Sequence, residues 1–180
     1  MGKIVAAVAT SADGFIARPD GDVGWLDRPQ PKGRYGMPAF LRSIDTVVMG
    51  RKTYDIALEF GHAFDSKTKT YVFTHRRAKG AEGVEFVRGP VGPFARKALR
   101  GRSRGGKNAW LMGGADLIGA FLDAGELDEL VVYVVPILIG AGIPLVKRRR
   151  RSAELELLSS RAFPDGVVRI AYRVRRPAAT

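Results

Sequence analysis

The sequence predicts an α/β domain: a mostly parallel central sheet flanked by helices, with an antiparallel hairpin at the C-terminal end. Three observations carry that prediction. Short apolar runs alternate with segments of helical spacing, two strand-to-helix junctions are marked by glycine, and the last two strand-like runs are joined by Pro164-Asp165-Gly166. Alternating strands and helices build parallel sheets covered on both faces, whereas a tight turn joins only antiparallel neighbours. The 180 residues suit a single domain over 1–180, and a hydrophobic content of 46% is enough for a buried core.

Taken in order, Lys3 to Ala9 is a short apolar run and reads as a buried first strand. Ser11 to Pro38 is rich in Gly, Pro and Asp, with turn pairs at Asp13-Gly14 and Asp20-Gly21, and reads as a long loop. A loop of such length in a compact domain is usually functional or mobile. Pro38 to Ser43 is a short helix with proline in its first turn. Asp45 to Gly50 is a strand, followed by a helical segment through Leu58. Thr70 to Thr74 is a further strand, Val84 to Val87 a weaker one, Pro93 to Arg100 a helix, Gly101 to Gly106 a turn and Asn108 to Met112 a strand. Ala115 to Asp123 is a helix because Leu117, Ile118, Phe121 and Leu122 share one face, and Gly125 fits its stop. Leu127 to Val135 reads as the longest strand, and Glu154 to Arg161 pairs with Val167 to Arg175 as the hairpin.

The chain contains no cysteine, which removes disulfides, thiolate catalysis and zinc–thiolate sites. The N-terminus lacks the long apolar stretch of a signal peptide, and Pro136 interrupts the longest apolar segment, well short of the ~20 residues of a membrane span. A cytoplasmic location is the expectation. Thirty basic against eighteen acidic residues give a net charge of +12, much of it in Lys147 to Arg151 and in Arg173, Arg175 and Arg176. Such a balance attracts polyanions and small phosphorylated ligands alike. No aromatic residues interleave with the basic run as a base-stacking platform requires, so nucleic acid is the less favoured partner. His62 and His75 are the two histidines, too few and too isolated for a metal site, and none is expected.

Two junctions share one design. In Val47-Val48-Met49-Gly50-Arg51-Lys52-Thr53 and again in Trp110-Leu111-Met112-Gly113-Gly114-Ala115-Asp116, an apolar strand ends in glycine and a helix begins. A helix N-terminus offers unpaired N–H groups and about half a positive charge, and glycine lets the backbone approach a phosphate. A pair of these junctions on neighbouring strands would grip both halves of a dinucleotide, although no G-x-G-x-x-G motif is present. Thr74-His75-Arg76-Arg77 adds hydroxyl and guanidinium donors suited to an adenosine 2′-phosphate, hence NADPH rather than NADH. Asp13, in a turn that the first strand aims at the same end of the sheet, is the candidate to orient a substrate or relay a proton. Trp25 is a candidate pocket wall, and Tyr133 reads as core.

Several segments together resemble the dihydrofolate reductase-like superfamily, in the branch similar to the C-terminal reductase domain of the bifunctional riboflavin-biosynthesis deaminase-reductase. They are Ser11-Ala12-Asp13-Gly14-Phe15-Ile16-Ala17, Pro19-Asp20-Gly21 leading to Trp25-Leu26, Val48-Met49-Gly50-Arg51-Lys52-Thr53-Tyr54, Leu111-Met112-Gly113-Gly114-Ala115, and Pro136 to Gly140 with Gly142 to Leu145. The resemblance implies a homodimeric, NADPH-dependent reductase. By it, Gly50, Arg51 and Thr53 would contact cofactor phosphates and Thr74, His75 and Arg76 the 2′-phosphate. Gly113, Gly114, Ala115, Asp116 and Leu117 would line the pyrophosphate, with Asp13 and Gly14 beside the nicotinamide and substrate. Tyr35 to Leu41 lacks the carboxylate by which dihydrofolate reductases hold the pterin, which argues against folate. The substrate class left is a small pyrimidine- or pterin-like or carbonyl compound. Two rival readings stand beside it: a module of the same fold that binds NADPH without turnover, and a basic nucleic-acid-binding protein.

Overall fold

The computed structural model describes residues 2–62, 64, 67–76, 83–100, 106–147 and 152–175. Strands β1 (Ile4–Ser11), β3 (Ile44–Gly50), β4 (Lys69–Phe73), β5 (Val84–Val87), β6 (Asn108–Gly113), β7 (Glu129–Val135), β9 (Leu155–Ala162) and β10 (Val168–Val174) form an eight-stranded sheet in the order β5-β4-β3-β6-β1-β7-β10-β9. The six strands from β5 to β7 are mutually parallel, and β10 and β9 add to β7 in antiparallel fashion. The predicted fold class is the observed one. All the carboxyl ends of the parallel strands therefore lie on one rim, and the β9–β10 turn returns to that rim.

Alternation decides which residue faces which layer. Ile4, Ala6 and Val8 of β1 join Leu111, Leu130 and Val132 on one face. There they meet Ile118 and Phe121 of α4 (Ala115–Asp123), together with Ala95 and Leu99 from the segment that continues α3 (Val91–Phe94) as a wider π-type turn over Ala95–Arg100. Phe121 is fully buried, so truncation to alanine would cost about 3–5 kcal/mol. Val5, Ala7, Val131, Tyr133 and Val135 point the other way. Towards the strand end, that face is covered largely by irregular chain, with Trp25, Leu26 and Tyr35 packing beside Phe40 of α1 (Met37–Arg42). Tyr54 of α2 (Arg51–Glu59) closes a third cluster over Met49 and Val72.

The main differences from the sequence reading have physical reasons. β1 runs on through Thr10 and Ser11, polar yet buried, because its ladder with β7 continues to Ser11 opposite Val135. β7 starts at Glu129 and spans 7 residues, so β1 and β9 at 8 are longer. Leu127 is buried, but it plugs the core from a turn, while the Asp128 carboxylate accepts from the Ile4 N–H. The long loop also contains structure: β2 (Phe15–Ala17) pairs with β8 (Ile143–Pro144), a single 3₁₀ turn forms at Gly24–Leu26, and a left-handed turn at Arg34–Gly36. Gly142 makes that pairing possible, since a Cβ there would lie 2.2 Å from the Ala17 carbonyl oxygen. Most of the predicted turn Gly101 to Gly106, and Arg148 to Arg151 of the basic run, lie outside the described residues. Among those described, no helix is long and apolar enough to cross a membrane.

Candidate active site

The β3–α2 and β6–α4 junctions are side by side, because β3 and β6 are bonded neighbours with Met49 opposite Gly113. A Cβ built on Gly114 would lie 3.8 Å from Gly50 Cα and 3.7 Å from Thr53 Oγ1. Thr53 thus sits beneath the glycine pair. Gly114 holds φ 99° and ψ 109°, a region that side chains rarely enter. Gly50 is different. Its φ of −79° suits any residue, and a Cβ on it would meet nothing nearer than 4.0 Å, so folding does not require glycine here. The space a side chain would fill is a shallow cradle between two helix N-termini, and neither α2 nor α4 has a side-chain cap. Both first turns keep N–H groups for an anion.

Thr74 follows β4 on the same rim, with Gly50 opposite Phe73 in the ladder. It is buried, donates its backbone N–H to the Val87 carbonyl at 3.0 Å and accepts from the Arg76 N–H at 3.1 Å, which fixes the turn. His75 and Arg76 are exposed at its tip, while Arg77 lies outside the described residues. The end of β5 contributes Arg88, a cation that sequence reading passed over because a lone arginine after a weak strand carries no motif. Lys52, Arg76 and Arg88 have no acidic partner among the described residues. The Arg51 guanidinium is held by Asp55 at 2.8 and 3.0 Å and lies over the Tyr54 and Phe86 rings. Asp116 is exposed and paired with Lys147 at 2.7 Å. Ala115 and Leu117 are buried, so they turn only backbone toward the rim.

Beyond the glycines the rim continues through β1 to Asp13. Its carboxylate accepts from the Gly140 N–H at 2.8 Å and the Ile139 N–H at 3.3 Å, pinning the Asp13-Gly14 turn to the loop after β7. The Ser11 hydroxyl and these two amides hold Asp13 below the ordinary carboxylate value. At neutral pH it is ionised, a group that accepts hydrogen bonds and orients donors.

Past Asp13, a cavity of about 500 Å³ opens at the end of β7, lined by Trp25, Arg28, Pro29, Val135, Pro136, Ile137 and Asp165. The chain segment that bonds to Asp165 is strained: Arg34 and Tyr35, at φ 46° and 57°, are the two non-glycine residues with positive φ among those described. Each such residue costs about 1–3 kcal/mol and persists only when surrounding contacts over-determine it. Here those contacts are the Tyr35 hydroxyl donating to the Asp165 carboxylate, edge-on packing of Tyr35 against Tyr133 and Phe163, and the Arg28 guanidinium donating to the Asp165 carbonyl at 2.9 Å. The Tyr35 hydroxyl lowers the Asp165 pKa, and burial followed by Asp165 raises that of Tyr35. Trp25 Nε1 is a buried donor with no acceptor among the described residues. Sequence reading found Trp25 but missed Arg28, Tyr35 and Asp165, which lie up to 137 positions apart and signal nothing locally.

Along the rim the order is therefore basic turn, glycine pair, Asp13 and cavity, the order of β4, β3, β6, β1 and β7. At about 4.8 Å per strand, β4 and β1 are roughly 14 Å apart, a span for an extended ligand. His62 packs edge-on against Phe64 away from this array, and no metal-binding cluster occurs among the described residues.

Comparison with known proteins shows the family and the fold. The family model of the RibD C-terminal domain matches residues 62–169. The uncharacterized Bacillus subtilis (strain 168) protein YwjB is 34% identical over 167 residues, covering 92% of this chain and 94% of its own. A Shewanella sp. PV-4 protein assigned to riboflavin biosynthesis superposes with a TM-score of 0.83 at 28% identity, over 98% of this chain and 100% of its own. Dihydrofolate reductase from Enterococcus faecalis, solved in complex with NADP(H), superposes with a TM-score of 0.65 at 16% identity over 96% of each chain, a likeness of fold.

Proposed function

This chain belongs to the RibD C-terminal domain family, and from that premise we propose that it is an NADPH-dependent reductase of a small pyrimidine-like substrate. One observation carries the reading: two uncapped helix N-termini, each preceded by glycine, meet on one rim with Thr53 beneath them. The fit to a dinucleotide is good, because Gly50 leaves free a volume that folding alone would let a methyl group occupy. In this reading the first-turn amides of α2 and α4 and the Thr53 hydroxyl hold the pyrophosphate. Arg51, Thr74, His75 and Arg76, joined by Arg88, hold the 2′-phosphate end. When bound, NADPH would supply the hydride.

The chain's own residues do the remaining work. Asp13 fixes the turn between the glycine rim and the cavity, and Gly14 leaves the approach to the substrate open. Trp25 supplies an apolar wall to the cavity beyond it. Homodimerisation through the β9–β10 hairpin is part of the proposal, since Leu155 and Leu157 on its outer strand are 42% and 59% exposed. Light scattering on purified protein tests that part.

Calorimetry with NADPH and NADH, followed by the loss of NADPH absorbance with candidate pyrimidine and carbonyl substrates, tests the enzyme reading. Tighter binding of NADPH and turnover with one substrate class are expected. Binding without any oxidation would make the protein an NADPH-binding module, and no uptake of either nucleotide would overturn the reading.

A further inference from the structure

The rim divides by charge. At the β5–β3 end, Lys52, Arg76 and Arg88 have no acidic partners among the described residues, which is suitable surroundings for an anion. The cavity at the end of β7 instead holds one cation and one anion, Arg28 and Asp165, against walls of Trp25, Pro29, Val135, Pro136 and Ile137. We propose that this cavity is a specificity subsite for a flat, uncharged ligand presenting a hydrogen-bond donor beside an acceptor, read by Asp165 and Arg28. The inference rests on the rim being the reductase's substrate side and adds the residues that choose the substrate.

Hydrogen-bond capacity leads to that ligand class. The Asp165 carboxylate takes the Tyr35 hydroxyl on one oxygen and a long contact of 3.4 Å from the Val167 N–H on the other, which leaves acceptor capacity toward the cavity. Arg28 donates one N–H to the Asp165 carbonyl and sits 3.8 Å from its carboxylate, leaving further guanidinium donors. Trp25 lines the same space with its ring, while its indole N–H is buried, so the ring serves as a wall and the N–H as a reporter of it. A ligand carbonyl meets donors and a neighbouring ligand N–H meets a carboxylate. An anionic ring would face Asp165, and a cationic ring would face Arg28. Neither charge is compensated in a cavity that is already neutral. The aromatic and proline walls favour a flat ring. Tyr35 is a positioning residue, because it holds Asp165 in place from the strained segment above.

The test follows the Trp25 and Trp110 indole N–H resonances in ¹⁵N-labelled full-length protein during titration with four small rings. 2-Pyridone has adjacent N–H and C=O groups, N-methyl-2-pyridone lacks the donor, benzoate is an anion and benzamidinium a cation. Trp110, bonded to the Ala7 carbonyl at 3.0 Å, reports that the fold is intact. 2-Pyridone is expected to move the Trp25 resonance alone, with the other three rings at least tenfold weaker. The two charge-removing variants should then change preference in opposite directions: Asp165→Asn admits benzoate, and Arg28→Gln admits benzamidinium. Equal affinity for 2-pyridone and its N-methyl form, no movement of Trp25 up to the solubility limit, or the same change in both variants would overturn the proposal. A parallel NADPH titration read at the Gly114 amide distinguishes failure of this subsite from failure of the reductase reading.

Discussion

In the proposed reading, the binding surface at the ends of β3 and β6 is backbone, whereas at the end of β7 it is side chain. The first region consists of helix N-termini and glycines within two short stretches of sequence, and it needs no latch. The second is assembled from the loop over residues 25–29 and a hairpin turn at Asp165, and Asp165 is anchored by the strained Arg34-Tyr35 segment. A phosphate is the same in every nucleotide, so a generic backbone cradle is adequate for it. A substrate must be distinguished from its competitors, which takes individually placed side chains. The comparison predicts that damage to the two regions will separate: one should lose nucleotide, the other selectivity.

The largest effect is expected from Gly114→Val, which forces a side chain into φ 99° and fills the cradle. NADPH affinity should fall by roughly a hundredfold or more in calorimetry, and thermal stability should fall with it. A double change, Arg76→Ala with Arg88→Ala, removes hydrogen bonds to a charged phosphate that are worth about 1.5–3 kcal/mol each. The preference for NADPH over NADH should therefore drop by about tenfold or more, with NADH affinity little changed. Gly50→Ala sharpens the comparison most, because its backbone tolerates alanine. The melting temperature should hold or rise slightly while NADPH binding weakens by about tenfold, a split that merely structural glycine would not produce.

In the second region, Tyr35→Phe removes the donor to Asp165 and should destabilise the protein by about 1 kcal/mol in denaturant titration, while NADPH affinity stays at the wild-type value. The smallest effect is that of acid. Asp165 has a depressed pKa in the folded chain, so its contribution is complete above the ordinary aspartate value of about 4 and is lost as pH falls below it. Thermal unfolding followed from about pH 6 to about pH 3 should accordingly show a loss of stability in the wild type that is smaller in Tyr35→Phe, which lacks the hydrogen bond to Asp165.

The sequence by itself determined the alternation of strands and helices, the terminal hairpin and the glycine junctions. Each of these is a local pattern: a hydrophobic period, a turn triplet, or a residue whose missing Cβ has meaning within its own turn. Thr53 and Thr74 stand out as candidates for the same reason, since each stands within a few residues of its glycine or basic turn. Only the tertiary structure decided that β3 and β6 are neighbours, which turns two ordinary turns into one cradle. It also decided that the Gly142 loop receives Phe15 to Ala17, and that Arg28 and Tyr35 find Asp165 across more than a hundred residues. Strand order and side-chain convergence are set by burial of faces against one another, and no single stretch of chain contains that information. Backbone sites can therefore be read in one dimension, whereas pockets of converging side chains exist only once the sheet has closed.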